Sequence, residues 1–251
     1  MLSRSELVTL AKTRGLSTWQ EEKRYVQALA LYSLKDQPLI LKGGTYLWFF
    51  HGLGRFSDDL DFTEGQKIVE DLQNIIASTT KLFGLCCECK PIKNDQNILY
   101  FRADAKGPLY SSPSDLCRVY IEVSKRDKVR KPALSAKLDE PLYGLPITFL
   151  KGMDLSEVAA EKVRAFIRRK KARDMYDLWY LFKRLSVPFD IGLVNDKLSF
   201  YKTKFEIDSF DSALKETKHD WTREIRPIVL GEPPTHDDAH EDILSFLKNS
   251  M

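Results

Sequence analysis

LILKGGTYLWFFHGLGRFSDDLDF, residues Leu39 to Phe62, decides how this chain reads. Leu39-Ile40-Leu41 is a short buried strand, and Gly43-Gly44 is a turn. Thr45 to His51 continues as a helix, and Phe56 to Thr63 returns as a strand with alternating acids. A strand places residues i and i+2 on the same face. Asp59 and Asp61 therefore share a face, and Asp58 points away.

Neither half of this stretch is specific alone. Surface strands often carry an acid pair, and a glycine pair serves any strand-to-helix turn. Together they point to one chemistry. Glycine lets the backbone approach a phosphate and expose its N–H groups. A helix starting at Thr45 adds its positive end to the same spot. Two carboxylates a few ångströms apart suit a hard cation such as Mg²⁺. A phosphate-gripping turn beside a carboxylate pair predicts nucleotidyl transfer from a nucleoside triphosphate.

The whole chain sets bounds on this reading. Its 251 residues suffice for one large domain or two modest ones. A net charge of +3 is no polycation, so nucleic-acid contact must come from local patches. No apolar run reaches about 18 residues, so no membrane span is expected. The N-terminus reads as an amphipathic helix, not a signal peptide. Of four cysteines, Cys86, Cys87 and Cys89 crowd together. Cys86 and Cys87 face opposite sides of a strand and lack zinc spacing, so buried or half-buried strand cysteines in a reducing cytoplasm are expected.

Outward from the deciding stretch, residues 1–34 read as helical, with Thr18 and Glu21 as a capping box. Tyr25, Val26, Leu29 and Leu34 form the apolar face. Ile68 to Phe83 reads as a helix ended by Gly84. Leu85 to Ile92, Ile98 to Ala103, Cys117 to Ser124 and Ile147 to Leu150 read as strands, with a loop over Lys106 to Asp115. Asp154 to Leu185 is helical, capped by Ser156. Ile191 to Tyr201, Ser209 to Lys218 and His236 to Lys248 are further helices. The expected fold is α+β: a mixed-sheet core with flanking helices over residues 1–150, then a helical domain over 151–251.

KGGTYLW, RFSDDLDF and a second block, AAEKVRAFIRRKKARDMYDLW (Ala159 to Trp179), carry a family resemblance. The chain resembles the AbiEii/AbiGii-type toxin nucleotidyltransferases, within the DNA polymerase beta-like superfamily. The resemblance covers most of residues 18–185. It implies that Lys42, Gly43, Gly44 and Thr45 form the phosphate-binding turn; the family often has serine after the first glycine or in this turn, which leaves any hydroxyl role to Thr45. It makes Asp59 and Asp61 the metal-binding acids. Lys162 matches a lysine that contacts the triphosphate, and Asp177 the acid closing that block, with Arg173 and Asp174 before it. The superfamily often places a third carboxylate on a neighbouring strand as base or metal ligand. Glu122, in the apolar run Val119 to Val123, fits that slot, with an exposed-face acid as its alternative.

On one continuous helix, Lys162 and Asp177 would point within about 60° of each other at roughly 100° per residue. Arg169 and Arg173 fall between them, making a basic stripe suited to phosphate. The bland alternative is a solvated charged face.

The resemblance thus implies a Mg²⁺-dependent toxin enzyme, with Mn²⁺ as substitute ion, of a toxin-antitoxin or phage-defence system. It implies a triphosphate bound between core and helical region, an RNA acceptor such as a tRNA 3′ end, and a cognate antitoxin. The basic runs Lys125 to Lys131 and Arg168 to Arg173 are the expected RNA contacts. Two rival readings keep the fold: nucleotidylation of a protein or a small molecule such as an aminoglycoside, and a non-catalytic nucleotide-binding module.

Overall fold

The structure is a computed structural model, and it describes residues 1–68 and 71–250. Two compact units emerge. The first comprises residues 1–52, 56–129 and 133–152. The second comprises residues 53–55, 130–132 and 153–251.

The first unit is built on a mixed seven-stranded sheet, with β1 at Leu39–Lys42, β2 at Asp59–Glu64, β3 at Cys86–Asn94 and β4 at Ile98–Lys106. It continues with β5 at Cys117–Ser124, β6 at Leu134–Leu138 and β7 at Thr148–Gly152. The spatial order is β3-β4-β5-β2-β1-β7-β6. β2 is central: it runs parallel to β5 on one side and antiparallel to β1 on the other.

Alternation along β2, β4 and β5 divides the sheet into two faces. Leu60, Phe62, Phe101, Ala103, Ala105, Val119, Ile121 and Val123 are fully or almost fully buried. Helices α2 (Thr18–Ser33) and α4 (Leu72–Leu82) pack against strands of this sheet, β5 and β3 respectively. The opposite face carries Asp59, Asp61, Tyr120, Glu122, Tyr100 and Arg102, all half-buried. This is the pattern of an antiparallel-rich sheet with one apolar side.

Helix α1 (Arg4–Arg14) is capped by Ser3 with Glu6 in a full capping box. The box opening α2 uses Ser17 and Gln20, one residue earlier than the expected Thr18 and Glu21. Tyr25, Val26, Leu29 and Leu34 are buried as expected. Helix α4 is shorter than the expected Ile68 to Phe83, because Asp71 caps it by accepting from the N–H groups of Gln73 and Asn74. Residues 69 and 70 of that expected helix lie outside the described residues. Strand β6 went unread; its outward positions are polar or exposed and give only a weak alternation.

The second unit is helical: α5 (Leu155–Arg169), α6 (Ala172–Trp179), α7 (Ile191–Ser199), α8 (Ile207–Glu216), α9 (Lys218–Ile225) and α10 (His236–Ser250). The continuous helix expected over the second block does not form. Lys170 adopts a left-handed conformation with φ 46° and ends α5. After α6 the chain widens into a π-helical turn over Tyr180–Arg184. The cap of α5 is Asp154, which accepts from the Ser156 N–H, so Ser156 is not the cap.

Candidate active site

The deciding stretch folds as helix α3 (Gly43–Phe50), which connects β1 to β2. The helix begins at the glycine pair itself, not at Thr45. Gly43 has φ +77°, a conformation that side chains resist. It also has no room for one: a Cβ there would lie 2.3 Å from Asp61 Oδ2. The phosphate turn and an acid of the pair are thus in direct contact. The first N–H groups of α3 have no partner within their own helix and offer themselves to an anion.

Thr45 is fully buried, and its hydroxyl donates to the Asp59 carbonyl and meets Ser57 Oγ at 3.0 Å. The hydroxyl expected at a phosphate is therefore spent on β2. Thr45 ties the start of α3 to Asp59.

Asp61 pairs in register with Lys42 on β1 and Glu122 on β5, and Asp59 with Tyr120. The three acids therefore share one face of adjacent strands. Burial, then Asp61, pushes the Glu122 carboxyl above its ordinary 4.5, while Lys42 pulls it down. A cation relieves this crowding. Among the described residues, no group of three or more His, Cys, Asp or Glu side chains could hold a metal ion as they stand. Asp58 points elsewhere as expected, toward Lys23 Nζ at 3.5 Å.

Lys42 is buried, and its Nζ lies 3.2 Å from Asp127 Oδ2. Asp127 was missed in the sequence because it interrupts a run of cations, Lys125 to Lys131. Its carboxylate is 9% exposed and ties the loop after β5 to β1.

Lys162 and Asp177 belong to the second unit and meet there despite the helix break. Lys162 Nζ lies 2.7 Å from Asp177 Oδ2 and 3.3 Å from Asp174 Oδ1. Arg55 grips Asp177 with two bonds, Nε to Oδ1 at 2.6 Å and Nη2 to Oδ2 at 2.7 Å. Arg169 grips Asp174 likewise at 2.6 and 2.7 Å. Asp174 and Asp177 are fully buried. Burial pushes Asp174 up, but Lys162 and Arg169 override it and hold it down to about 2. Asp177 is also lowered: burial opposes the shift, and Arg55 and Lys162 outweigh it.

This network surrounds Lys162, the lysine expected at the triphosphate. Lys162 is 8% exposed, and two carboxylates already claim its charge. Arg55 is the partner that sequence reasoning missed, although it sits in RFSDD; only tertiary pairing reveals it. Arg173 stays exposed on α6 and adds to the field on Asp174.

Several cations of the basic runs have partners. Arg130 pairs with Asp196 at 2.7 Å, Lys170 with Glu216 at 2.5 Å and Lys171 with Glu224 at 3.4 Å. Lys131 donates to Ser156 at 2.5 Å, and Lys125 to Asn94 at 2.8 Å. Cys86, Cys87, Cys89 and Cys117 are all free thiols. Among the described residues, no helix is long and apolar enough to cross a membrane.

Comparison with known proteins agrees with this architecture. MenT4, a nucleotidyltransferase toxin of Mycobacterium tuberculosis, superposes with a TM-score of 0.67 at 20% identity, covering 99% of this chain and 90% of that one. A putative nucleotidyltransferase from Helicobacter pylori gives 0.63 at 18% identity, covering 93% and 95%. JHP933, also from H. pylori, gives 0.62 at 18% identity, covering 93% and 91%. A search of curated proteins gives no match. The model of the family "Nucleotidyl transferase AbiEii toxin, Type IV TA system" matches residues 24–245. A seven-stranded sheet with an acid pair against a glycine turn, and a family match over most of its length, identify the chain as a nucleotidyltransferase of the AbiEii toxin family, of type IV toxin-antitoxin systems.

Proposed function

We propose that the protein transfers a nucleoside monophosphate from a nucleoside triphosphate to the terminal hydroxyl of an RNA, and that Asp59 and Asp61 would hold Mg²⁺ for this reaction. The observation that carries the reading is the contact of Gly43 with Asp61. It sets an anion-binding backbone against a carboxylate pair, as a metal-triphosphate substrate requires.

A divalent cation bound there neutralises the phosphates and lowers the pKa of the attacking hydroxyl. The N–H groups opening α3 bind and orient the triphosphate. Asp59 and Asp61 would hold that cation beside the phosphate turn. Glu122, held above its ordinary pKa by burial and by Asp61, accepts the proton of the attacking hydroxyl. The hydroxyl oxygen forms a bond to the α-phosphorus, the bond to the β-phosphate bridge breaks, and pyrophosphate leaves. Lys162 and Asp177 serve in this reading by locking Arg55.

Incubation with each labelled triphosphate, Mg²⁺ and total RNA tests the reading. Label should enter ribonuclease-sensitive material, and the Asp59→Ala variant should transfer none. Label that resists ribonuclease but yields to protease, or transfer unaffected by Asp59→Ala, would count against it.

A further inference from the structure

The open face of the sheet does not end at the acids. Tyr120 on β5 pairs in register with Asp59, and Tyr100 on β4 pairs with Glu122. The two rings stack, with centroids 6.0 Å apart and planes 24° apart. Both tyrosines are half-buried. Arg102 lies over the Tyr120 ring, its guanidinium carbon 6.0 Å from the centroid. It is held by Asp104 through bonds of 2.6 and 2.8 Å. Arg118 and Lys90 occupy the same face farther out and are exposed.

Strand order gives these rings a direction. The phosphate turn follows β1, on one flank of the β2 acids, and the tyrosines stand on β5 and β4, on the other flank. Attacking and leaving oxygens lie roughly in line across the transferred phosphorus. Pyrophosphate held at the β1 turn thus leaves the β5 flank to the acceptor. Neighbouring strands are about 4.8 Å apart. The rings therefore lie within one nucleotide's reach of the acids. Stacked aromatic surfaces bind unpaired bases of any sequence.

We propose that the Tyr100–Tyr120 pair is the platform on which the terminal nucleobase of a single-stranded RNA acceptor stacks, with Arg118 facing its backbone. This rests on the nucleotidyl-transfer reading above and adds where the acceptor lies.

The test is kinetic and direct. Tyr100→Leu and Tyr120→Leu should each raise KM for the RNA acceptor about ten-fold, with KM for the triphosphate unchanged, as loss of base–aromatic stacking implies. Tyr100→Phe and Tyr120→Phe should behave as wild type, because the ring is retained. An unchanged triphosphate KM doubles as the check that the leucine variants fold. A rise in triphosphate KM with acceptor KM constant would assign the platform to the nucleotide's own base and overturn the proposal. Equal parameters for leucine and wild type would overturn it as well. Anisotropy with a short fluorescent single-stranded RNA separates this from failure of the transfer reading. If no variant turns over, weaker RNA binding by the leucine variants still supports the platform. Equal binding, or none by wild type, refutes it.

Discussion

Gly43 and Asp61 cannot both keep their places if position 43 carries a side chain. A Cβ at Gly43 comes within 2.3 Å of Asp61 Oδ2 and 3.0 Å of its Cβ and Cγ. The backbone at φ +77° adds a second penalty for any other residue. Gly43→Ala is therefore expected to cost about 1–2 kcal/mol from the left-handed conformation alone. It should also push the Asp61 carboxylate aside. Chemical denaturation should show modest destabilisation, while the transfer rate falls far more than stability does. Unchanged transfer would mean that the contact has no part in catalysis.

Thr45 is the hidden support of Asp59. Thr45→Val removes the hydroxyl that donates to the Asp59 carbonyl. The expected loss is about 1 kcal/mol of stability, the usual net worth of such a bond. Thr45→Ser keeps the hydroxyl and should retain most activity. If valine and serine variants transfer equally well, the tether does not position the acid.

Asp177 stands between two cations inside the second unit. Asp177→Ala leaves Arg55 buried without its two bonds and Lys162 with Asp174 alone. Removing one partner of a buried pair costs about 3–5 kcal/mol. Replacing both, as Arg55→Met with Asp177→Leu, should cost clearly less than the sum of the single changes. Urea unfolding of the four proteins measures the coupling. Additive effects would remove the network from the account of stability.

Asp174 sets a pH dependence. Its folded-state pKa of about 2 lies below the ordinary 3.8. A depressed carboxylate stabilises the fold above its unfolded pKa, and that contribution is lost as pH falls through the folded value. The window is therefore pH 4 to 2, and the contribution is of order 2 kcal/mol. Asp174→Asn should be less stable at neutral pH and should lose less stability than wild type across that window. Parallel curves would contradict it.

The fold was legible where one residue pattern meant one thing. Gly43-Gly44 and the alternation of Asp59 and Asp61 placed β1, α3 and β2 in order, because glycine tolerance and period-two alternation act locally. The second block was read as one helix because each residue favours helix; Lys170 turned left-handed and broke it. The loop acid Asp127 and the role of Arg55 were invisible for another reason. Both depend on partners far along the chain, Lys42 and Asp177, and no local spacing encodes such a pair. Tyr100 and Tyr120 looked like ordinary strand aromatics until strand order set them beside the acids.

The central claim is that the Asp59/Asp61 face transfers nucleotide. Single-turnover transfer of label from an α-labelled triphosphate to RNA, comparing wild type with Asp61→Asn, tests it most directly. Wild type should show Mg²⁺-dependent transfer with pyrophosphate release. The variant should show at least a roughly hundred-fold loss, as for removal of a charge-stabilising group in an active site, with the fold intact by circular dichroism. Transfer at the wild-type rate by Asp61→Asn would contradict it.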